Sequence, residues 1–326
     1  MNVTVLGAGA WGTALAKLLH ESGHSVTLWG HDARHLEEVR RGGRNDRYLA
    51  GIGLPRDWRV QSDPAKAVDE SECVVVAVPS RALREVTRCL KDYDGLVVSV
   101  TKGIEYDTGL TMCGVLRETA SAARSAALSG PTLALEVARG IPTATVAASP
   151  DADTAARVQT LFHQPAFRVY TSADLLGVEL GGALKNVIAI AAGVSDGLGF
   201  GDNSKAALIT RAIVEIRRLG VVCGAQSDTF AGLSGLGDLT VTCFSRLSRN
   251  REFGERLGRG DKVADVVMNS VGVAEGYPTA RSAWQLAHRL HVSTPIIDEV
   301  YAMLYEGKDT AKALRDLTGR ESKAED

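Results

Sequence analysis

A single lysine sits in the middle of an apolar helical pattern, residues 179–193 (ELGGALKNVIAIAAG). Such a lysine is costly unless it is paired or faces water. Desolvation lowers the pKa of its ammonium and suits Lys185 to general base work near neutral pH. An alcohol that gives up a hydride needs such a base, because its hydroxyl proton must leave as the carbonyl forms. In reverse the ammonium would donate that proton and polarise the carbonyl. The plainer alternative is a lysine snorkelling from a half-buried helix. Asn186 beside it could hydrogen-bond a ligand or cap a neighbouring loop.

Residues 235–251 (GLGDLTVTCFSRLSRNR) gather glycines, hydroxyls, an amide and three arginines. Arginine forks beside hydroxyls suit phosphate recognition. Asp238 could orient the ammonium or a substrate hydroxyl. The competing reading is a solvated basic helix start. Residues 232–237 imitate a nucleotide loop, but no strand precedes them. Lys102 follows a strand pattern directly, and should point into the crevice at the sheet end. A cation there could neutralise phosphate or polarise a carbonyl.

Residues 7–12 (GAGAWG) follow a buried-strand pattern at residues 3–6 and open an Ala/Leu-rich helix pattern, Thr13 to Leu19. Strand, G-x-G-x-x-G turn and helix, in that order, form a dinucleotide fingerprint. Gly7 permits the tight turn. Gly9 lets a pyrophosphate approach the backbone, and Gly12 lets the helix pack near the strand. The helix start presents free N–H groups to phosphates. A second strand pattern, Val26 to Trp29, precedes Asp32, at the distance expected of an acid holding the ribose hydroxyls of NAD. His31, Arg34 and the basic run at residues 40–47 could equally greet a 2′-phosphate. That run reads as a solvated loop or a flap over the adenosine. NAD and NADP both stay open.

These residues need a scaffold. Further strand patterns are Cys73–Val78, Leu96–Val100, Ala126–Leu128, Thr143–Ala147 and Phe167–Tyr170. Helical patterns such as Ser80–Leu90 and Asp153–Phe162 separate them. This alternation implies an α/β fold, a Rossmann-type doubly wound and largely parallel sheet. Ligands should lie outside the strands' carboxyl ends. After Tyr170 only helix patterns remain. One runs from Ser204 with Asn203 as N-cap and stops at Gly220; others are Thr279–Arg289 and Pro295–Tyr305. The expected division is a dinucleotide-binding domain at 1–171 and an all-α substrate-binding and catalytic domain at 172–326. The charged tail, Arg320–Asp326, is expected to fray.

With 326 residues the chain can bury two cores, and its 45% hydrophobic and 23% charged residues are ordinary for a globular protein. A net charge of −2 argues against nucleic acid. The five cysteines form no C-x-x-C pair and read as reduced thiols. The histidine pairs His20/His24 and His31/His35 lack the other members of a metal set, so no metal is expected. The apolar stretch Leu175–Val194 carries Glu179 and Lys185, which makes it a poor membrane span. With no basic leader at the start either, the protein is expected to be cytoplasmic. An all-α second half suggests a homodimer.

Seven ordered segments resemble the bacterial NAD(P)-dependent glycerol-3-phosphate dehydrogenases along essentially the whole chain. They are residues 7–16, 99–105, 128–138, 181–193, 201–220, 229–254 and 273–276. The resemblance implies interconversion of sn-glycerol 3-phosphate and dihydroxyacetone phosphate with NAD or NADP, supplying glycerol phosphate for phospholipids. By motif, Lys185 matches the proton acceptor. Ala10, Trp11, His31, Tyr48, Lys102, Ala134, Arg249, Val273 and Glu275 match cofactor positions. Lys102, Gly130, Thr132, Lys185, Asp238, Ser248, Arg249 and Asn250 match positions that hold the small phosphorylated three-carbon substrate. Ala10 and Thr132 stand where the family often has Ser, and Leu133 where Phe is usual. Ala10 loses a side-chain donor but keeps its N–H. A related hydroxyacid or 6-phosphogluconate-type dehydrogenase and a non-catalytic dinucleotide sensor are the rival readings. A sensor needs no base on an apolar helix.

Overall fold

The computed structural model describes residues 1–269 and 272–319, so the tail from Arg320 lies outside the described residues. Short β-branched runs become strands: β1 (Asn2–Leu6), β2 (Ser25–Trp29), β3 (Arg44–Asn45), β4 (Leu49–Gly53), β5 (Arg59–Gln61), β6 (Cys73–Val76), β7 (Leu96–Ser99), β8 (Arg124–Ser129), β9 (Thr143–Ala148) and β10 (Phe167–Ser172). Eight form one sheet in the order β10-β9-β8-β7-β6-β1-β2-β5. It is parallel except where β9 pairs antiparallel to β8. Strands β6 and β7 are buried throughout, which is why they read as unbroken apolar runs. The chain leaves β1 towards β2 on one side and builds β6, β7 and β8 on the other. The order therefore reverses between β1 and β6, where ligands of such sheets bind.

The helices of this half are α1 (Ala10–Glu21), α2 (Ala33–Gly42), α3 (Pro64–Val68), α4 (Ser80–Thr87), α5 (Met112–Thr119), α6 (Ala134–Ala138) and α7 (Ala152–Phe162). They cover both sheet faces and bury two apolar clusters, one around Val5, Leu15 and Phe162 and one around Leu6, Val76 and Leu116. The basic run is not one loop: its first residues finish α2, and Arg44–Asn45 opens a two-stranded hairpin with β4. Strand β5 and that hairpin are too short to leave a periodic signal.

The second half holds α8 (Leu175–Gly197), α9 (Asp202–Val222), α10 (Asp238–Phe244), α11 (Arg249–Gly258), α12 (Val263–Met268), α13 (Gly276–Arg289), α14 (Pro295–Tyr305) and α15 (Thr310–Thr318). Two expectations need correction. Helix α9 starts at Asp202 behind a Gly201 N-cap, so Asn203 is inside it. It also runs through Gly220, which is there for packing: a Cβ would lie 2.1 Å from the Phe230 ring. Helix α8 is the one described helix long and apolar enough to cross a membrane, and 89% of that window is buried within the protein. It is the axis of the helical core.

Small residues let neighbours approach α8 closely. A Cβ on Gly193 would fall 1.9 Å from the Arg251 carbonyl oxygen, and one on Gly254 would fall 1.9 Å from that of Ile190. Helices α8 and α11 therefore cross almost backbone to backbone. The halves are tied by Glu179 on α8, which accepts hydrogen bonds from Thr111 Oγ1 (2.7 Å) and Cys113 N (2.8 Å) at the start of α5. Burial pushes its carboxyl above the ordinary range. Removing it strands two buried donors, so Glu179→Ala should cost about 2–4 kcal/mol. Urea unfolding reads this; a loss below about 0.5 kcal/mol would show that the tie carries no stability.

Candidate active site

The fingerprint folds as a cradle. Gly7 has φ +130, and a Cβ there would lie 2.5 Å from the Ala77 carbonyl oxygen. A Cβ on Gly12 would lie 1.9 Å from the Gly7 oxygen, so that site also requires glycine. At Gly9 the opposite holds: nothing lies within 4 Å of its Cβ position. Gly9 is the N-cap of α1 and makes no side-chain cap, so the first-turn N–H groups stay available. A tight turn, an open approach and a bare helix start fit a pyrophosphate. Ala10 and Trp11 begin the helix, and Ala134 starts α6 packed against the same cluster.

Facing this half, Lys185 is 7% exposed. Its ammonium donates to Asp238 Oδ1 (2.7 Å) and Thr242 Oγ1 (2.7 Å). Asp238, the first residue of α10 and 1% exposed, also accepts from Lys102 Nζ through Oδ2 (2.5 Å). Lys102 reaches across from the end of β7 and donates to the Gly130 carbonyl as well (3.0 Å). Thr132 Oγ1 donates to that same carbonyl (3.1 Å). Two cations thus share one carboxylate where the halves meet. Burial lowers the Lys185 pKa to about 8; Asp238 opposes the fall and Lys102 adds to it. Asp238 is therefore in direct contact with the ammonium.

Helix α11 brings in the remaining cluster. Ser248 is its N-cap and accepts from Arg251 N (3.2 Å). Asn250 donates through Nδ2 to Asn186 Oδ1 (2.8 Å) and accepts from Gly276 N (2.8 Å). That bond ties α8 to α11 through Asn186. Arg249 begins α11 and runs beside Gly272, next to Val273. Glu275 accepts from Ser80 N (3.0 Å) and Ser80 Oγ (2.6 Å), reaching the start of α4 after β6. Its carboxyl is raised by burial and lowered by Ser80 and Arg249.

The loops after β6, β7 and β8 therefore converge with α8, α10, α11 and Glu275 on one crevice. His31, Asp32 and Tyr48 stand apart from Lys185, beyond β2. Asp32 caps α2 by accepting from His35 N (3.0 Å), and it pairs with Arg47 (3.4 Å). Tyr48 lies in the turn between β3 and β4, its ring edge-on to His35 at 5.3 Å. Sequence reasoning singled out neither Thr242 nor Ser80 as a site residue. Thr242 had a signal, since four residues after Asp238 puts it on the same helix face. Ser80 had only its place on a loop leaving a strand's carboxyl end, because its partner is 195 residues away. A separate cavity of about 910 Å³ lies among α8, α9, α14 and α15. None of the sequence-derived site residues lines it; its Glu215, pushed up to about 7 by burial, caps α14. Among the described residues no His, Cys, Asp and Glu group could hold a metal, and the five cysteines are free.

Such a cradle, facing a buried lysine on a helical half, defines a nicotinamide-nucleotide-dependent dehydrogenase. Comparison narrows the class. The family model for the N-terminus of NAD-dependent glycerol-3-phosphate dehydrogenase matches residues 2–155, and that for its C-terminus matches residues 174–315. The glycerol-3-phosphate dehydrogenase (NAD(P)+) of Syntrophotalea carbinolica is 49% identical, covering 100% of this chain and 99% of that protein. That of Anaeromyxobacter dehalogenans is 48% identical over 100% of both. The crystal structure of glycerol-3-phosphate dehydrogenase from Coxiella burnetii superposes with a TM-score of 0.94 at 35% identity, covering 98% of this chain and 99% of that one. The chain belongs to the NAD-dependent glycerol-3-phosphate dehydrogenase family.

Asp238 is the main group holding the Lys185 proton on. In Asp238→Asn the ammonium should titrate below its parent value of about 8. Lysine-selective NMR of Nζ reads this directly, and an unchanged or higher titration point would disprove the pairing.

Proposed function

We propose that this chain interconverts sn-glycerol 3-phosphate and dihydroxyacetone phosphate by hydride transfer with NAD or NADP, with Lys185 as general acid and base. The observation carrying this reading is the Lys185 ammonium, buried in the crevice and lowered to about 8 by desolvation. A pKa close to the working pH is what proton transfer in both directions requires. When bound, the dinucleotide accepts or returns the hydride.

In oxidation, neutral Lys185 Nζ takes the hydroxyl proton while the carbon–hydrogen bond gives up its electron pair as hydride, and a carbonyl forms. Asp238 and Thr242 keep the amine aimed. Reduction reverses these steps, with the ammonium donating its proton to the carbonyl oxygen. Lys102 and Arg249 supply cations for the phosphate, and the Ser248 and Asn250 side chains sit beside them. Gly130 and Thr132 form the wall after β8. The free N–H groups at the start of α1, Gly9–Gly12, hold the pyrophosphate, with Trp11, Ala134, Val273 and Glu275 around the cofactor. His31, Asp32 and Tyr48 take its adenosine end. The expected division near residue 171 then places both ligands in the crevice between the halves, each half contributing residues to each ligand. The expected setting is phospholipid synthesis in the cytoplasm by a homodimer; the relatives' reaction supports the first of these.

Dihydroxyacetone phosphate with NADH and with NADPH, alongside hydroxyacids and 6-phosphogluconate, tests the reaction by absorbance at 340 nm. Turnover of an unphosphorylated hydroxyacid instead would reject it. Lys185→Ala should cut kcat by about 10²–10⁴ while cofactor still binds; near-normal turnover would remove its role. Oxidation should rise with pH and level off above about 8, as Lys185 loses its proton, whereas reduction should decline over the same range. Arg249→Ala should raise KM for the phosphorylated substrate more than for an unphosphorylated analogue, and equal effects would argue against phosphate contact.

A further inference from the structure

The hairpin β3–β4 lies outside the main sheet, yet one of its side chains is among the most deeply buried polar groups. Asn45 is 1% exposed. Its Nδ2 donates to the Ala8 carbonyl oxygen (3.0 Å) and to Thr13 Oγ1 (2.8 Å). Ala8 lies inside the glycine turn and Thr13 in the first turn of α1. One amide thus grips both flanks of the fingerprint from a position 37 residues beyond Ala8. The amide can face only this way, because a carbonyl oxygen accepts and never donates. Asn45 Oδ1 accepts from no protein donor among the described residues.

We propose that Asn45 is a positioning residue that sets the direction of the Ala8–Gly9 peptide and so aims the Gly9 N–H at the cofactor's pyrophosphate. A trans peptide is planar, with its C=O and N–H pointing opposite ways. Holding the Ala8 oxygen towards Asn45 turns the Gly9 N–H away from Asn45. Gly9 has no Cβ to resist a flip, and nothing lies within 4 Å of its Cβ position. Without the clamp the peptide can rotate and present a carbonyl oxygen, which repels phosphate. The hairpin holds Asn45 through its own backbone: Tyr48 N donates to the Asn45 oxygen (3.2 Å), and Asn45 pairs with Leu49.

This inference rests on the proposed dinucleotide site, and the experiment separates the two. Binding of NADH, ADP and adenosine is measured by fluorescence and calorimetry for the unaltered protein, Asn45→Asp and Thr13→Val. Asn45→Asp keeps the shape but replaces the donor with an oxygen. It should weaken NADH and ADP about tenfold or more, adenosine less than about twofold, and raise KM for NADH with KM for dihydroxyacetone phosphate unchanged. Thr13→Val keeps the Ala8 bond and should leave NADH affinity within about threefold. Should Asn45→Asp not fold, Asn45→Ser, too short to reach Ala8, carries the same expectation. Unchanged NADH affinity, or equal losses for adenosine and ADP, would overturn the clamp. Failure of the unaltered protein to bind NADH would instead overturn the site itself.

Discussion

Asp238 holds one negative charge between two ammonium groups, and the crevice is built around that contact. Lys185 arrives from the helical half and Lys102 from the sheet half, so the carboxylate joins the two. Buried ion pairs are poor sources of stability, because desolvation offsets much of the attraction. Their value here is in tuning. Burial alone would drive the Lys185 proton off, and Asp238 limits that fall, leaving a group that titrates at about 8. While Lys185 carries its proton the trio holds two cations against one carboxylate, which favours an anion in the crevice.

Carrying such a trio requires the two halves to meet in fixed register. Two carboxylates from the helical half sit at helix starts of the sheet half: Glu179 at α5 and Glu275 at α4. Each places negative charge where unsatisfied N–H groups and the helix dipole favour it. Within the helical half, register comes from contact between backbones. Gly193 and Gly254 let α8 and α11 cross so closely that no side chain can slip between them. Asn250 then bonds both Asn186 and the Gly276 N–H, one residue after Glu275. Lys185 is therefore positioned by glycines eight or more residues away as much as by its partners.

Legibility followed the range of the interactions. The fingerprint was readable because its three glycines act on neighbours close in sequence, and the buried strands because burial on both faces gives unbroken apolar runs. The lysine was conspicuous because one charge on an apolar helix has few explanations. Asp238 was identifiable as chemistry, but its pairing with Lys185 is a contact 53 residues away. The Ser80 loop and the basic run around Asn45 were visible as segments, but the partners of these two side chains lie 195 and 37 residues away and no local pattern shows them. The end of α9 was misread because Gly220 looks like a stop signal. Its actual constraint is the Phe230 ring, which no local pattern shows.

The adenosine end obeys a looser logic than the crevice. Asp32 stands where an acid would hold ribose hydroxyls, but its Oδ1 already caps α2 and its Oδ2 faces Arg47. Both side chains are well exposed, at 40% for Asp32 and 56% for Arg47. Exposed pairs of this kind contribute about 0–1 kcal/mol, so parting them costs little. Once parted, the acid suits two hydroxyls and the guanidinium suits a phosphate. Neither cofactor is excluded by charge, which agrees with the NAD(P)+ in the relatives' names. The buried, doubly bonded side chains around Lys185 and the glycine turn are thus held tightly, whereas the exposed pair at Asp32 and Arg47 is free to adjust.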